Sequence, residues 1–317
     1  MVLAQSVPFQ PSPVPAVRHA VPALALLTVL GCAGCDKAAD APPPFDGATA
    51  LTRVKAQLDF GARVPNTPAH VKGGDWILAQ VTPLADTVIV QAFTHVTAKG
   101  DTLHLRNIIA RFKPANPQRV LYLTHWDSRP TAEESRDSAQ RSLPTPGAND
   151  GASGVALLIG VAEALKKLPP TVGVDLLFVD GEDYGDFKAD TDVLLGSRYF
   201  ADHLPDAGYA PLFGVLFDMI GDADLQIYQE GNSLQQAPDV VARVWAQAKA
   251  LGHDDVFHGE PKWTVTDDHI PLLKKGLHVI DVIDLDFPYH HTTEDTLDKV
   301  SAASIAAVGQ VAIALVR

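Results

Sequence analysis

Cysteine is nearly absent from this sequence: of 317 residues only Cys32 and Cys35 carry a thiol, and both lie within the first 35. Any domain folded from the remainder has neither a disulfide nor thiol chemistry to offer, even in an oxidising compartment. Positive charge is also scarce, with 25 Lys and Arg against 38 Asp and Glu, for a formal net charge of −13. The first 35 residues contain Arg18 and no acid, so the rest is slightly more acidic still. Such a chain repels phosphate backbones, and nucleic acid is not expected as a partner. No Gly-rich phosphate loop follows a strand, no apolar run has the length of a spanning helix, and there is no internal repeat. Glycine and proline, 23 and 24 residues, are too few for a fibrous or wholly disordered chain, and 46% hydrophobic residues is ordinary globular composition. One domain of roughly 250 residues or more is the natural reading. Solvated surface accounts for most of the acidity, and the remainder suits a site that attracts divalent cations or N-terminal ammonium groups.

What the chain does have begins with a distinct N-terminal segment. Arg18 and His19 precede an apolar run over 20–30, which leads into Leu30-Gly31-Cys32-Ala33-Gly34-Cys35. Residues 1–35 read as an export signal of the bacterial lipoprotein type, with Cys32 or Cys35 as the lipidated residue; an ordinary cleaved signal or an N-terminal anchor are the alternatives. The expected location is therefore exported and lipid-anchored on the periplasmic or outer face, or else secreted, with membrane contact only through this segment. Residues 36–46, containing Pro42-Pro43-Pro44, read as an extended tether. The domain is expected over 47–317.

Within it, helical spacing occurs over 52–60 and 69–81, separated by the turn-rich stretch Arg63 to Pro68. Residues 87–93, 103–112 and 120–125 have strand composition; a helix over 153–168 and a buried strand over 173–179 follow. Further strands are expected at 213–218, 225–228 and 277–282, with helices over 237–251 and from Thr296. Strands alternating with helices predict a single-domain α/β/α sandwich with a central mixed, mostly parallel sheet. The apolar stripe of the last helix is core packing and carries no functional claim.

The chemistry-bearing residues have a common placement. His125, Asp127, Glu182, Asp183 and Asp218 fall at or just past the ends of apolar strands, where open α/β sheets bind their ligands. Several carboxylates buried together need compensation, and a metal ion supplies it most simply. Asp150 sits in a sharp turn before a helix, where a capping role is the plainer reading, and His291 lies in a loop where a lone histidine is usually solvated. The company of the other groups changes both readings, because Asp, Glu and His ligands without thiolate are typical of catalytic zinc.

These residues stand in segments that resemble the zinc aminopeptidase family that also contains the glutaminyl-peptide cyclotransferases. The segments are His125-Trp126-Asp127-Ser128-Arg129-Pro130, Gly147 to Gly154, Asp180-Gly181-Glu182-Asp183-Tyr184-Gly185, Gly196 to Tyr199, Asp218 to Gly221, Asp267-Asp268-His269 and His291-Thr292-Thr293. The resemblance implies that Asp150, Asp183 and His291 bind zinc, with Glu182 as general base and acid. In the two-zinc aminopeptidases His125 and Asp218 hold a second ion and Asp150 bridges the pair. In the cyclotransferases one zinc is typical, and Asp218 and Asp267 form a hydrogen-bond network near the substrate's amino group. Asp127 is then expected to orient His125 or its neighbours, and a cap of the following helix is the competing role for Asp267 and Asp268. The implied substrates are peptide or protein N-termini. Asp183 in Glu182-Asp183-Tyr184-Gly185 resembles the bacterial cyclase branch, whereas His290 departs from it, since the cyclases carry Trp before the last zinc-binding histidine. Phe187 is the one aromatic near the place of the second pocket tryptophan. The expected activity is conversion of N-terminal Gln to pyroglutamate, with metallo-aminopeptidase activity as the alternative and a non-catalytic peptide-binding lipoprotein as a third reading.

Overall fold

The computed structural model describes residues 45–317; the signal-like segment, both cysteines and the prolines of the tether lie outside the described residues. In chain order the elements are α1 (Gly47–Leu58), α2 (Pro68–Val81), β1 (Thr87–Val96), β2 (Thr102–Phe112), β3 (Arg119–His125), α3 (Ala152–Lys167), β4 (Gly173–Val179), α4 (Leu195–Asp202), β5 (Phe213–Asp218), β6 (Ile227–Gln229), α5 (Gly231–Gln236), α6 (Pro238–Ala250), β7 (Phe257–Pro261), α7 (His269–Lys274), β8 (Val279–Ile283) and α8 (Ala302–Ala314). Phe45 packs into the core and Asp46 caps α1 by accepting from the Thr49 amide, so the last two residues of the expected tether belong to the fold.

The main sheet has the order β1-β2-β4-β3-β5-β8. Strands β4, β3, β5 and β8 run parallel, and β2 pairs antiparallel with both β4 and β1. The expected α/β sandwich with a mixed, mostly parallel sheet is the architecture observed. Alternation along the strands builds both faces. Val120 and Tyr122, Leu176 and Phe178, and Val215 and Phe217 face the large core with α1, α3 and α8. Leu121, Leu123, Leu177, Val179 and Leu216 face the other, with Phe200 of α4 and Leu272 of α7. Helix α3 is buried over most of its surface. It lies so close to the sheet that a Cβ on Gly154 would come within 2.1 Å of the Thr124 hydroxyl.

Several expectations are corrected. The last helix does not start at Thr296: Leu297–Lys299 form a 3₁₀ turn, and α8 begins after Ser301, whose hydroxyl accepts from the Ala303 and Ser304 amides. The strand expected over 225–228 is the short β6, which pairs with β7 outside the main sheet. The short helices α4 and α5 were not expected. Among the described residues no helix is long and apolar enough to cross a membrane.

Candidate metal centre and active site

The parallel strands deliver their carboxyl ends to one edge of the sheet. His125 is the last residue of β3 and Asp218 the last of β5, while Glu182 and Asp183 occupy the turn after β4. The His125 Nε2 atom lies 3.1 Å from Asp218 Oδ1 and 2.9 Å from Asp150 Oδ1. Its Nδ1 is 3.7 Å from both Asp127 and Glu182, too far for a hydrogen bond. Asp127 instead organises the catalytic turn, accepting the Glu182 amide at 3.0 Å and the Asp183 amide at 3.2 Å. It therefore positions the neighbours of His125 more directly than His125 itself.

Asp150 does not cap a helix. Gly151 takes the N-cap position of α3 with φ +86°, and a side chain there would press on the Asp127 carbonyl at 2.9 Å and the His125 ring at 3.0 Å. The carboxylate of Asp150 is left facing the cavity because its loop is held from behind. Asp295 accepts the Asn149 and Asp150 amides at 2.8 and 3.1 Å. The buried Arg63 guanidinium donates to the carbonyls of Trp126, Pro146 and Gly147. Asp268 occupies the N-cap of α7 without making a capping bond and accepts instead from the Ser197 hydroxyl. The capping role for Asp267 and Asp268 is thus not observed either.

His291 has a left-handed backbone, φ 51°, an uncommon conformation for a residue with a side chain. Its Nδ1 is 3.3 Å from Glu133, and its Nε2 is 3.3 Å from Asp183 Oδ1 and 3.8 Å from Asp150 Oδ2. Arg129 ties these acids together, donating to Asp183 Oδ1 at 2.7 Å and pairing with Glu133. The other oxygen of Asp183, Oδ2, is buried with no hydrogen-bond partner, as is His125 Nδ1. Two triplets of donor atoms lie within 4.8 Å of one another: His125, Asp150 and Asp218, and Asp150, His290 and His291. Asp150 belongs to both. Imidazole and carboxylate donors with an orphaned buried oxygen beside them fit zinc.

A cavity of about 320 Å³ opens on these groups, lined by Asp150, Glu182, Asp218, Asp267, His290 and His291, with Phe187, Met219, Val265, Ile283 and Leu285 as apolar walls. Burial, with help from Asp183, Asp267 and Asp268, pushes the Glu182 carboxyl well above its usual range. Burial beside Asp218 and Asp268 does the same to Asp267, and Asp268 is pushed up to about 7. The Asp150 carboxylate is held below the usual range in spite of burial, by the hydrogen bond and charge of His125 and by His291. The His291 imidazole is pushed up to about 10: burial works against its charge, but Asp183 and Glu133 outweigh it.

All the expected site residues, Asp150, Asp183, His291, His125, Asp218, Glu182 and Asp267, meet in this one place. Four others were not foreseen in a role. Arg129 stood within a recognised segment, and Asp295 lies two residues past the His291-Thr292-Thr293 segment, so each carried a weak signal. Glu133 and Arg63 carried none.

Residues 107–316 match the family described as peptidase family M28. The chain belongs to that family. It is 25% identical over 261 residues to the glutaminyl-peptide cyclotransferase-like protein of Bos taurus, covering 74% of this chain and 66% of that protein. Solved structures match over nearly their whole length, and two serve as examples. One, a leucine aminopeptidase precursor from Bacteroides thetaiotaomicron, has a TM-score of 0.84 at 36% identity, covering 87% of this chain and 98% of the other. The second, the glutaminyl cyclase of the same organism, has a TM-score of 0.83 at 35% identity, with 86% and 98% covered. The M28 chain described here is accordingly an enzyme of a zinc-dependent family whose members among its relatives are glutaminyl cyclases and aminopeptidases.

Proposed function

We propose that this M28 enzyme is a glutaminyl-peptide cyclotransferase, converting an N-terminal Gln to pyroglutamate with release of ammonia. The observation that carries this reading is the carboxyl wall: Glu182, Asp218 and Asp267 line one small cavity, and Glu182 and Asp267 are held above the ordinary carboxylate range. Such a wall can bind one amino group and move one proton at neutral pH. Zinc held by Asp150, Asp183 and His291 would polarise the side-chain amide carbonyl. Asp218 and Asp267 hold the substrate's amine, and Glu182 accepts a proton from it. The amine nitrogen bonds to the side-chain carbonyl carbon, the carbon–nitrogen bond of the amide breaks, and Glu182 returns the proton to the departing ammonia. The apolar walls from Phe187, Met219, Ile283 and Leu285 limit water, which would otherwise compete as nucleophile.

A second reading, aminopeptidase hydrolysis, is favoured by the triplet of His125, Asp150 and Asp218, which has the donor types for a second ion. One experiment separates them: zinc per chain, with ammonia release from a Gln-initiated peptide followed beside release of free amino acid. About one zinc with ammonia is the expected result. Two zincs with free amino acid and no ammonia would overturn the cyclotransferase reading.

A further inference from the structure

An enzyme that acts on the first residue of a peptide must let the rest of the chain leave its cavity, and the catalytic cavity has two neighbours that share walls with it. One, of about 410 Å³, shares Phe187, Lys188 and His291; its remaining walls are chiefly polar, and Arg129 and Glu133 there are already engaged with Asp183 and His291. The other, of about 560 Å³, shares Phe187 and Thr266 and is walled by α4 and α7. Leu194, Ala201, Ile270 and Pro271 give this groove an apolar lining. Phe187, common to all three cavities, stands in a loop closed by reciprocal backbone bonds between Asp186 and Thr191, 2.8 and 3.0 Å, so the wall is preformed.

Charge distinguishes the groove further. In a chain of net charge −13 it has more cations than acids, with Arg198, Lys274 and Lys275 against Asp190 and Asp202. Arg198 pairs with Asp190, and Lys275 with Asp202 at 3.3 Å. Lys274, the exposed last residue of α7, enters no ion pair among the described residues. An ammonium without a counter-charge beside an apolar groove attracts a carboxylate carried by whatever lies there.

We infer that this groove binds the residues that follow the first in the substrate peptide, with its apolar lining taking their side chains and Lys274 facing an acidic side chain among them. The inference rests on the reading that peptide N-termini are the substrates, and it holds for cyclisation and hydrolysis alike. It makes Lys274 a specificity-determining residue outside the catalytic machinery.

The test sets two peptide amides, Gln-Ala-Glu-Glu-Ala and Gln-Ala-Lys-Lys-Ala, in competition for the zinc-loaded full chain. Mass spectrometry counts the loss of each intact peptide, which reads both reactions, and the ratio of the two rates is the ratio of kcat/KM. Lys274→Glu should lower the acidic-to-basic ratio by about 5-fold or more, the scale of one exposed ion pair turned into repulsion. The uncharged amide Gln-Ala should be consumed by this variant at the wild-type rate. Lys249→Glu, on α6 and lining neither cavity, makes the same change in net charge and should move the ratio far less. An equal shift in the two variants, or none in either, would overturn the inference. Should Lys274→Glu lack a cooperative thermal transition, Lys274→Gln is read by the same criteria, with a shift of about 2-fold expected. Where neither peptide is consumed, the enzymatic reading fails on its own account, and the affinities of the same two peptides in competition binding supply the ratio.

Discussion

Two groups of buried acids reach the cavity, one through Asp150 and Asp218 and the other through Asp267, and they are compensated in different ways. On the metal side every acid has a nitrogen partner within 3.1 Å: Asp150 and Asp218 share His125 Nε2 at 2.9 and 3.1 Å, and Asp183 has Arg129 at 2.7 Å. In the other group Asp267, Asp268, Asp281 and Glu230 have only His269 among them, 3.3 Å from Glu230 and 3.8 Å from Asp281. Neither ring nitrogen of His269 and neither oxygen of Asp281 makes a hydrogen bond. Burial raises Asp267, Asp268 and Asp281 above the usual carboxylate range, so that they hold protons. Glu230 is the exception there, held down to about 2 against burial by His269 and the Asn232 and Ser233 amides. Asp150, among imidazoles, stays ionised and can receive a cation. Asp183 is the exception on the metal side, since burial and the nearby Asp150 raise it above its usual value. That is the behaviour expected of a ligand whose strongest partner is a metal ion. Two sets of the same residue types thus acquire different chemistry from their surroundings alone.

The comparison can be broken most severely from the metal side. Asp183→Ala or His291→Ala should reduce bound zinc to a small fraction of one per chain and take activity to background, measured by metal analysis and turnover on the same sample. A variant that kept full zinc would remove that residue from the seat. The next largest effect is expected at the junction of the two groups: Glu182→Gln should retain zinc while turnover falls by about 10²- to 10⁴-fold. Near-normal turnover would show that another group moves the proton.

The smallest effect concerns the proton-holding side. Asp268 has a folded-state value of about 7, above the ordinary aspartate value of 3.8, because it is buried. A raised carboxyl contributes stability that is fully present below the ordinary carboxylate range and is lost as pH rises through about 7. Wild-type stability to urea should therefore decline across that window, by at most about 1.4 kcal/mol per pH unit for one proton. Asp268→Asn, which keeps an oxygen for Ser197, should decline less steeply. Parallel slopes for the two proteins would mean that Asp268 is ionised in the fold and that the contrast between the two sides is wrong.

Much of this was legible from residue order, for definable reasons. Continuous or alternating apolar runs mark β3, β4 and β5, and acids or histidine placed where those runs stop mark the ligand-binding edge. The short helices α4 and α5 were not legible, because stretches of eight and six residues have little helical stability of their own and form by packing. Arg63 and Asp295 were not assigned roles because their partners are distant in sequence: Arg63 bonds to carbonyls 63, 83 and 84 residues away, and Asp295 to amides 145 and 146 residues away. Burial of charge was no guide by itself. Asp175 is as buried as any site residue, yet with Arg111, Arg119 and Tyr209 it forms a paired network centred on β4 that lines none of the site cavity.

The sequence alone determined the α/β architecture, the family, and the identities of the acids and histidines gathered at the strand ends, since these follow from apolar periodicity and local motifs. Only the tertiary structure decided that Asp150 is freed from capping, that Asp127 clamps the catalytic turn, that His290 shares a cavity with His291, and which acids keep their protons. Those outcomes depend on distances between groups far apart in the chain, and the energy of a buried charge is set by those distances.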